Sequence, residues 1–253
     1  MEQDSKQTNP TSEKGICIDF HTHTHVSKDS RQTVEQLCKR IKSKGLDGFA
    51  LTDHDSLTNF PYAKQAAKEY GLFCIKGTEI MTELGEVIAY LPTEAINLSD
   101  RCYEVICEDI RDKDGLIVIP HPYDTMRGAH LKIAQIHPST LQKFTDGVEV
   151  INSRILCSEK PIARARKLKE RLKILETGGS DGHQPREVGN GYTSIPEKYA
   201  NILDEEDELR NNFKSIEFRA LGKQSPFYVH FFGFMDKWAK KLNERFTGRP
   251  RMQ

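Results

Sequence analysis

The sequence predicts an α/β fold, a closed or nearly closed TIM-like barrel of about seven βα units, on the basis of three observations. Short apolar runs alternate with longer amphipathic segments through most of the 253 residues. The apolar runs are continuous, which is typical of parallel strands buried on both faces. About seven such pairs fit into one domain of this length. A doubly wound open sheet is the alternative arrangement of the same units.

The individual elements follow from the hydrophobic periodicity. The predicted strands are GICIDF, GFALT, LFCIKG, EVIAYLP, LIVIP, GVEVIN, ILETGG and SIEFRALG. The predicted helices are TVEQLCKRIKSKG, PYAKQAAKEYG, YEVICEDIRDKDG, EKPIARARKLKERLK and PFYVHFFGFMDKWAKKLNERF. EVIAYLP follows LFCIKG so closely that we expect the two to pair as a hairpin. Residues 1–14 are expected to form a mobile tail, and residues 15–253 a single domain that includes the C-terminal helix.

The C-terminal helix carries aromatic residues followed by Lys and Arg. Such a segment is compatible with an interfacial membrane helix or with a nucleic-acid patch. We favour a last helix whose aromatic side chains pack on the barrel while its charges face water.

Composition limits the function classes. Lys plus Arg equals Asp plus Glu, so the formal net charge is zero. This argues against a general electrostatic attraction to nucleic acid, although a local basic patch is still compatible with it. The six cysteines form no CxxC pair, and several lie in apolar runs. This pattern favours reduced thiols in a cytoplasmic protein. No apolar run approaches the length of a transmembrane helix.

Polar side chains follow nearly every predicted strand. After GICIDF, three histidines fall within five residues, at His21, His23 and His25. The residues in the same position after later strands are Asp53, His54, Glu79, His121, Asn152, Arg154, Asp181 and His183. Each alone is compatible with an ordinary turn. In α/β barrels, however, the C-terminal ends of the strands meet on one face, so we expect these side chains to form one site there.

The residue types predict a site for two or three transition-metal ions. Imidazole suits Zn, Mn and Fe, and a carboxylate can bridge two ions. The absence of a thiolate among the candidates argues against a structural zinc finger, and the many histidines argue against an all-oxygen calcium site.

The order of HTH, TDHD, GTE, IPHP and SDGH resembles the PHP superfamily, named for polymerase and histidinol phosphatase, from about Ile16 to about Ile195. The resemblance implies the distorted (βα)7 barrel and three metal positions. Their implied ligands are His21, His23, Glu79 and Asp181 for the first, the bridging Glu79 with His121 for the second, and Asp29, His54 and His183 for the third.

One residue departs from the family pattern. Relatives often have a His in the hairpin after the bridging Glu, where this chain has Glu86. Glu86 could hold the second metal as a harder ligand, which favours Mn or Fe there, and the number of ions stays open between two and three. His25 matches no ligand position, and we expect it in a loop or on the substrate side.

The resemblance implies a stand-alone metal-dependent phosphoesterase that hydrolyses a phosphate ester of a small metabolite or nucleotide. Two ions about 3.5–4 Å apart would supply a bridging hydroxide as nucleophile. We expect catalytic roles for His54, Asp181 and His183, with either histidine protonating the leaving group where the third ion is absent. Asn152 matches a family residue near the site.

Other side chains are candidates for supporting roles. Arg127, Arg154 and Arg186 could bind a second phosphate or a carboxylate. Asp19 and Asp53 are expected to orient the imidazoles.

Two other functions remain open at this point. A 3′–5′ exonuclease or oligonucleotide phosphodiesterase is the alternative, and it would need a basic funnel beside the site. A non-catalytic metal-binding domain is disfavoured, because such a domain has no need of an open metal face. A small phosphorylated substrate is therefore the expected partner, with nucleic acid less favoured.

Overall fold

The computed structural model describes residues 15–126, 128–155 and 159–225. The expected tail at 1–14, the C-terminal helix, Arg127 and Cys157 lie outside these ranges. The strands are β1 (Ile16–Thr22), β2 (Gly48–Leu51), β3 (Phe73–Thr82), β4 (Gly85–Tyr90), β5 (Leu116–Ile119), β6 (Gly147–Asn152), β7 (Leu175–Gly179), β8 (Gly191–Ile195) and β9 (Arg219–Gly222). The α-helices are α1 (Val34–Ser43), α2 (Phe60–Glu69), α3 (Tyr103–Asp112), α4 (Pro138–Phe144), α5 (Glu159–Leu172) and α6 (Glu206–Asn212), and short 3₁₀ helices span Ile133–Gln135, Glu197–Ile202 and Phe213–Ser215.

All nine strands form one sheet in the order β7-β6-β5-β4-β3-β2-β1-β8-β9. The pairs β1–β2, β2–β3, β5–β6 and β6–β7 are parallel. The two ends of the sheet approach each other: the Gly178 N–H in β7 donates to Thr193 Oγ1 in β8 at 2.8 Å, and the Ala220 N–H in β9 donates to Glu176 Oε1 in β7 at 2.9 Å. The fold is therefore a nearly closed α/β barrel, and the open sheet is excluded.

The regular (βα)7 count is not reproduced. As expected, β4 pairs back on β3, and this antiparallel hairpin places Glu79 opposite Ile88. However, β4 also pairs antiparallel with β5, and β8 pairs antiparallel with β1 and β9. Of the predicted strand SIEFRALG, only Arg219–Gly222 is a strand. Ser215 ends the 3₁₀ helix Phe213–Ser215, and residues 216–218 connect that helix to the strand.

Packing explains which predictions succeeded. In α1, Val34, Leu37, Cys38 and Ile41 are buried as the periodicity predicts, and Thr33 and Gln36 form a capping box at its start. One hydrophobic core cluster contains side chains from six strands, including Phe20, Ile75 and Val118. These residues therefore face a common interior on the concave side of the sheet. The strands thus hold their C-terminal ends around one face.

Two further observations concern membrane-spanning helices and the cysteines. Among the described residues, no helix has both the length and the apolar character needed to span a bilayer. Of the described cysteines, Cys38, Cys74, Cys102 and Cys107 are free thiols, as the sequence predicts.

Candidate metal centre

The C-terminal end of β1 presents two buried imidazoles. His21 is the penultimate residue of β1 and His23 follows the strand directly; both are fully buried. Gly179, at the end of β7, allows this arrangement, because a Cβ there would lie 2.3 Å from His21 Cβ and 2.8 Å from Glu149 Oε1. A glycine at this position therefore lets β7 approach β1 closely.

Glu79 is the centre of the site. Its Oε2 lies 3.3 Å from His21 Nε2, 3.3 Å from His23 Nε2 and 3.4 Å from His54 Nδ1. Its Oε1 lies 3.1 Å from His121 Nε2. The backbone explains the position of His54, since His54 and Glu79 form a parallel β-bridge just beyond β2. One buried carboxylate between four imidazoles is the arrangement that a bridging ligand needs.

Asp181 approaches the same imidazoles from the end of β7. Its Oδ1 lies 3.6 Å from His23 Nε2, 3.9 Å from His21 Nε2 and 3.4 Å from His183 Nδ1. The Asp181 N–H donates to the His21 carbonyl at 2.8 Å, and Asp181 has a left-handed φ of 53°. His121 also has a positive φ, of 28°. Such backbone conformations are costly for residues other than glycine and cluster at functional sites.

Asp29 and Glu86 extend the cluster on two sides. Asp29 lies between two imidazoles, with Oδ1 3.5 Å from His54 Nε2 and Oδ2 3.2 Å from His183 Nε2. Glu86 Oε2 lies 3.4 Å from His121 Nε2. The hairpin of β3 and β4 therefore brings Glu86, which stands where the family pattern often has a His, into the site.

The donor set fits divalent metal ions. In four groups, the ligand atoms all lie within 4.8 Å of one another; the groups are His21, His23 and Asp181; His21, Glu79 and His121; His54, Glu79 and Glu86; and His23, His54 and His183. Within the described part of the chain, Nε2 of His21 and Nε2 of His23 are buried and have no hydrogen-bond partner. Buried polar atoms normally form hydrogen bonds, so imidazole nitrogens that form none and lie beside carboxylates fit a site that binds a cation.

The electrostatics support the same interpretation. Burial, followed by the neighbouring His183 and His54, holds the pKa of His23 well below its usual range, so this imidazole is neutral, as a metal ligand must be. Burial opposes protonation of His21 too, but the carboxylates of Glu79 and Glu149 outweigh it and raise its pKa. A cation is thus favoured beside His21.

The carboxylates differ among themselves. Burial opposes ionisation of Glu79, but the charge of His21 and the hydrogen bond with His121 outweigh it and hold the Glu79 pKa well below the usual range. Burial likewise opposes ionisation of Asp29, but hydrogen bonds from His183 and His54 lower its pKa strongly. For Glu86, burial and the nearby Glu79 raise the pKa to about 7. Glu86 is therefore the carboxyl that most needs a cation in order to ionise at neutral pH.

Comparison with known proteins identifies the family. The family model for the PHP domain matches residues 19–229.

The chain belongs to the PHP domain family.

Relatives of this PHP domain are found in archaea and bacteria. A protein of Methanocaldococcus jannaschii, "Uncharacterized protein MJ0417", is 33% identical over 184 residues, which cover 71% of this chain and 70% of that protein. A PolC-type DNA polymerase III of Staphylococcus epidermidis is 34% identical over 90 residues, which cover 35% of this chain and only 6% of the polymerase.

A solved structure shares the fold. It is a two-domain protein of Bacteroides vulgatus described as containing a predicted PHP-like metal-dependent phosphoesterase. The TM-score is 0.66 at 19% identity, and the match covers 82% of this chain and 65% of that chain. The chain therefore spans somewhat less than two thirds of that protein, and the likeness concerns the fold alone.

The candidate metal ligands of this PHP domain rest on further buried groups that the sequence analysis did not single out. Glu149 of β6 lies with Oε1 3.1 Å from His21 Nδ1, and its Oε2 accepts the His121 N–H at 2.8 Å and Asn152 Nδ2 at 2.9 Å. A carboxylate in the middle of the buried run GVEVIN was the available signal, since burying one requires partners. Glu187 accepts the N–H groups of His183, at 2.7 Å, and Gln184.

Of the two aspartates expected to orient imidazoles, only Asp53 acts on one, and it does so through a serine. Asp53 Oδ1 accepts from Ser27 Oγ at 2.7 Å, and Ser27 Oγ lies 3.2 Å from His23 Nδ1. Asp19 instead accepts backbone N–H groups of His21, Ser180 and Gly189. Burial raises the Asp19 pKa to about 6. Its role is to join β1 to the loop that carries Asp181.

The expected substrate-binding residues are placed differently from one another. Arg154 Nη1 lies 3.4 Å from Asp181 Oδ1 and 2.7 Å from His183 Nδ1, and Asn152 Nδ2 donates to Asp181 Oδ2 at 3.2 Å. Both residues therefore border the cluster. Arg186 donates to Gln184 Oε1, on the same loop as His183. The exposed His25 belongs to none of the four ligand groups.

Proposed function

We propose that this PHP domain is a metal-dependent phosphoesterase that hydrolyses a phosphate ester of a small metabolite or nucleotide. The observation that carries the proposal is the position of Glu79, with its two carboxylate oxygens within 3.4 Å of nitrogens from four histidines. Glu79 is 1% exposed, so bulk water does not satisfy its carboxylate. A cluster of this composition at the open end of a barrel is suited to polynuclear metal chemistry.

Two or three Zn, Mn or Fe ions are the proposed cofactors. We assign His21, His23, Glu79 and Asp181 to the first position, Glu79, His121 and Glu86 to the second, and Asp29, His54 and His183 to the third. When bound, such ions activate a water molecule and stabilise the charge that develops on a phosphoryl group. The harder carboxylate at Glu86 favours Mn or Fe at the second position.

The protein's own side chains supply binding and proton transfer. Arg154 is placed to bind a phosphoryl oxygen, because its guanidinium borders Asp181 and His183 and offers a fork of donors. Asn152 holds Asp181 through a 3.2 Å hydrogen bond. In a form with two ions, His54 would hold a proton at Nε2 for the leaving oxygen. Burial lowers its pKa, but the hydrogen bond with Asp29 and the charge of Glu79 raise it to about 9.

The second candidate function is an oligonucleotide phosphodiesterase or 3′–5′ exonuclease. The similarity of 90 residues to a PolC-type DNA polymerase III favours it, since that relative acts on nucleic acid. The match covers only 6% of the polymerase, so it carries less weight than the site itself.

A screen of phosphate release tests the proposal. The purified chain would be loaded with Mn or Zn and offered nucleotides, sugar phosphates, histidinol phosphate and dinucleotides, with Glu79→Gln as the inactive control. We expect metal-dependent release from at least one phosphate ester by the wild type and none by the variant. Equal release by both proteins, or release that persists in excess chelator, would contradict the proposal.

A further inference from the structure

Helix α5 presents a row of cations on one exposed side. Lys160, Arg164, Lys167 and Arg171 are all exposed and are spaced i, i+4, i+7 and i+11, so they fall on one line along the helix. We call these four residues the α5 basic stripe. In the described ranges, none of the four forms an ion pair, whereas the neighbouring Lys169 pairs with Glu176 at 2.8 Å.

The acidic residues of α5 do not interrupt the stripe. Glu159 and Glu170 fall about 100° around the helix from the stripe, near Arg166. The core side is occupied by Ala165, Leu168 and Leu172, which are buried. A protein with no formal net charge therefore concentrates four unpaired cations on one face of one helix.

The stripe begins on the metal side of the barrel. Helix α5 connects the end of β6, where Asn152 lies, to the start of β7, so its N-terminal end is the end nearer the site. The Arg164 guanidinium lies 4.1 Å from the centre of the Tyr123 ring. Tyr123 is two residues after His121, so this contact joins the stripe to a loop that carries a proposed metal ligand.

We propose that the α5 basic stripe binds the sugar-phosphate backbone of a single-stranded nucleic acid whose terminal phosphate ester lies at the metal centre. The link to the centre rests on the second candidate function, the oligonucleotide phosphodiesterase, and binding to the stripe does not. Eleven helical steps of 1.5 Å make the stripe about 17 Å long, which spans about five phosphates at the 3.4 Å spacing of a strand in a duplex and fewer in an extended single strand.

Two alternatives fit the stripe less well. A membrane-surface helix needs an exposed apolar face beside its cations, and the large apolar side chains of α5 are turned into the core. A duplex cannot place a terminal ester beside His21 and His23, which are fully buried at the end of β1, without separating its strands. A flexible single strand can enter the site and follow the helix.

The test compares two triple variants of the full chain. The stripe variant is Lys160→Gln/Lys167→Gln/Arg171→Gln, which leaves the Arg164–Tyr123 contact intact. The control variant is Lys39→Gln/Lys68→Gln/Lys198→Gln, which removes the same charge from exposed positions on α1, α2 and the 3₁₀ helix at Glu197–Ile202. Binding is followed by the anisotropy of a fluorescein-labelled single-stranded DNA of about 20 nucleotides, which has more phosphates than the stripe can contact. The titrations contain chelator and cover a range of salt concentrations.

We expect the wild type and the control variant to bind with similar affinity and the stripe variant to bind at least tenfold more weakly at low salt. The slope of log K against log salt should fall by about 2 in the stripe variant, since each phosphate contact on a single strand contributes about 0.7. No binding by the wild type, equal loss in both variants, or stripe-dependent binding of anionic vesicles without binding of DNA would overturn the proposal. Because chelator is present, failure of binding is distinguishable from failure of phosphate release in the substrate screen.

Discussion

The Ser27 hydroxyl lies 2.7 Å from Asp53 Oδ1 and 3.2 Å from His23 Nδ1. An ionised Asp53 can only accept, so the single hydroxyl proton of Ser27 points to it. Ser27 Oγ must then accept from Nδ1–H of His23 and from the His54 N–H at 3.0 Å. This pattern fixes the tautomer of His23 that leaves Nε2 unprotonated and directed at Glu79.

We expect Ser27→Ala to weaken metal binding by about 10- to 100-fold, the range typical for groups that orient a metal-bound imidazole. The reason is that His23 loses the acceptor that holds its Nδ1 proton. Titration of the metal-free protein with Mn or Zn measures the effect. Ser43→Ala is the matched control, because Ser43 is exposed and its hydroxyl donates to the Arg40 carbonyl within α1. Equal metal affinities of the two variants would contradict the role assigned to Ser27.

Glu79→Gln and Asp181→Asn should each lower the rate of phosphate release by about a thousandfold or more, since charge stabilisation at the reacting phosphoryl group is worth several kcal/mol. An amide keeps the shape of either side chain but removes the charge that holds a divalent ion. His25→Ala should retain much of the rate, because His25 is exposed and outside the four ligand groups.

Rates are compared at saturating Mn on a substrate found in the screen, with the exposed Glu83→Gln as control. A His25→Ala variant as inactive as Asp181→Asn would show that the ligand assignment in HTHTH is wrong. An active Glu79→Gln would exclude the bridged pair of ions.

Glu86 predicts a pH dependence of stability in the metal-free protein. Its pKa is raised to about 7 by burial and by Glu79, from a usual value of 4.5. The folded state therefore holds this proton more tightly than the unfolded state, so stability is lost as pH rises from about 4.5 through about 7. Relative to Glu86→Gln, the free energy of unfolding of the wild type should fall by on the order of 2 kcal/mol between pH 5.5 and 8. Urea denaturation in chelator measures this difference, and a constant or rising difference would refute the prediction.

Arg154 should act on substrate affinity through its planar fork of donors. Arg154→Lys keeps the charge but cannot bind two phosphoryl oxygens in the same way, so we expect kcat/KM to fall at least tenfold, mostly through a higher KM. Arg166→Lys, an exposed guanidinium on α5, is the matched control. Unchanged KM in the Arg154 variant would remove it from the substrate site.

The cysteines are expected to be reduced and unreactive in the native state. Cys38 and Cys74 are buried, and burial raises the pKa of the Cys38 thiol to about 12 and that of Cys74 well above its usual range. A thiol reagent should therefore label Cys38 and Cys74 slowly in the native protein, and it should detect all six thiols in denaturant from a reduced preparation. Rapid native labelling of Cys38 or Cys74, or far fewer than six thiols, would contradict this expectation.

The sequence predicted the site better than the strand count, for a physical reason. A parallel strand buried on both faces reads as an apolar run, and the polar residues that follow such runs meet on one face of a barrel. The proximity of His21, Glu79, His121 and Asp181 could therefore be predicted. Strand β8, GYTSI, alternates buried and half-buried residues and contains Thr and Ser, so it has no apolar run to detect. Helices α4 and α6 have seven residues each, too few for a helical period to emerge.

The supporting groups were harder to predict, because their partners are distant in sequence. Glu149 is 128 residues from His21, and no local pattern connects the two. Ser27 looks like an ordinary loop serine until the turn after β1 places it between Asp53 and His23. Ligand type and position at a strand end are local properties, whereas the hydrogen bonds that fix an imidazole depend on the closed sheet.

The metal content of the purified protein tests the central claim most directly. The wild type and Glu79→Gln are stripped with chelator, reloaded with Mn or Zn, freed of excess metal and measured by elemental analysis. We expect two to three equivalents per chain for the wild type, from the four ligand groups, and a clear loss for the variant, because two of these groups contain Glu79. Less than one equivalent bound to the wild type after loading would contradict it.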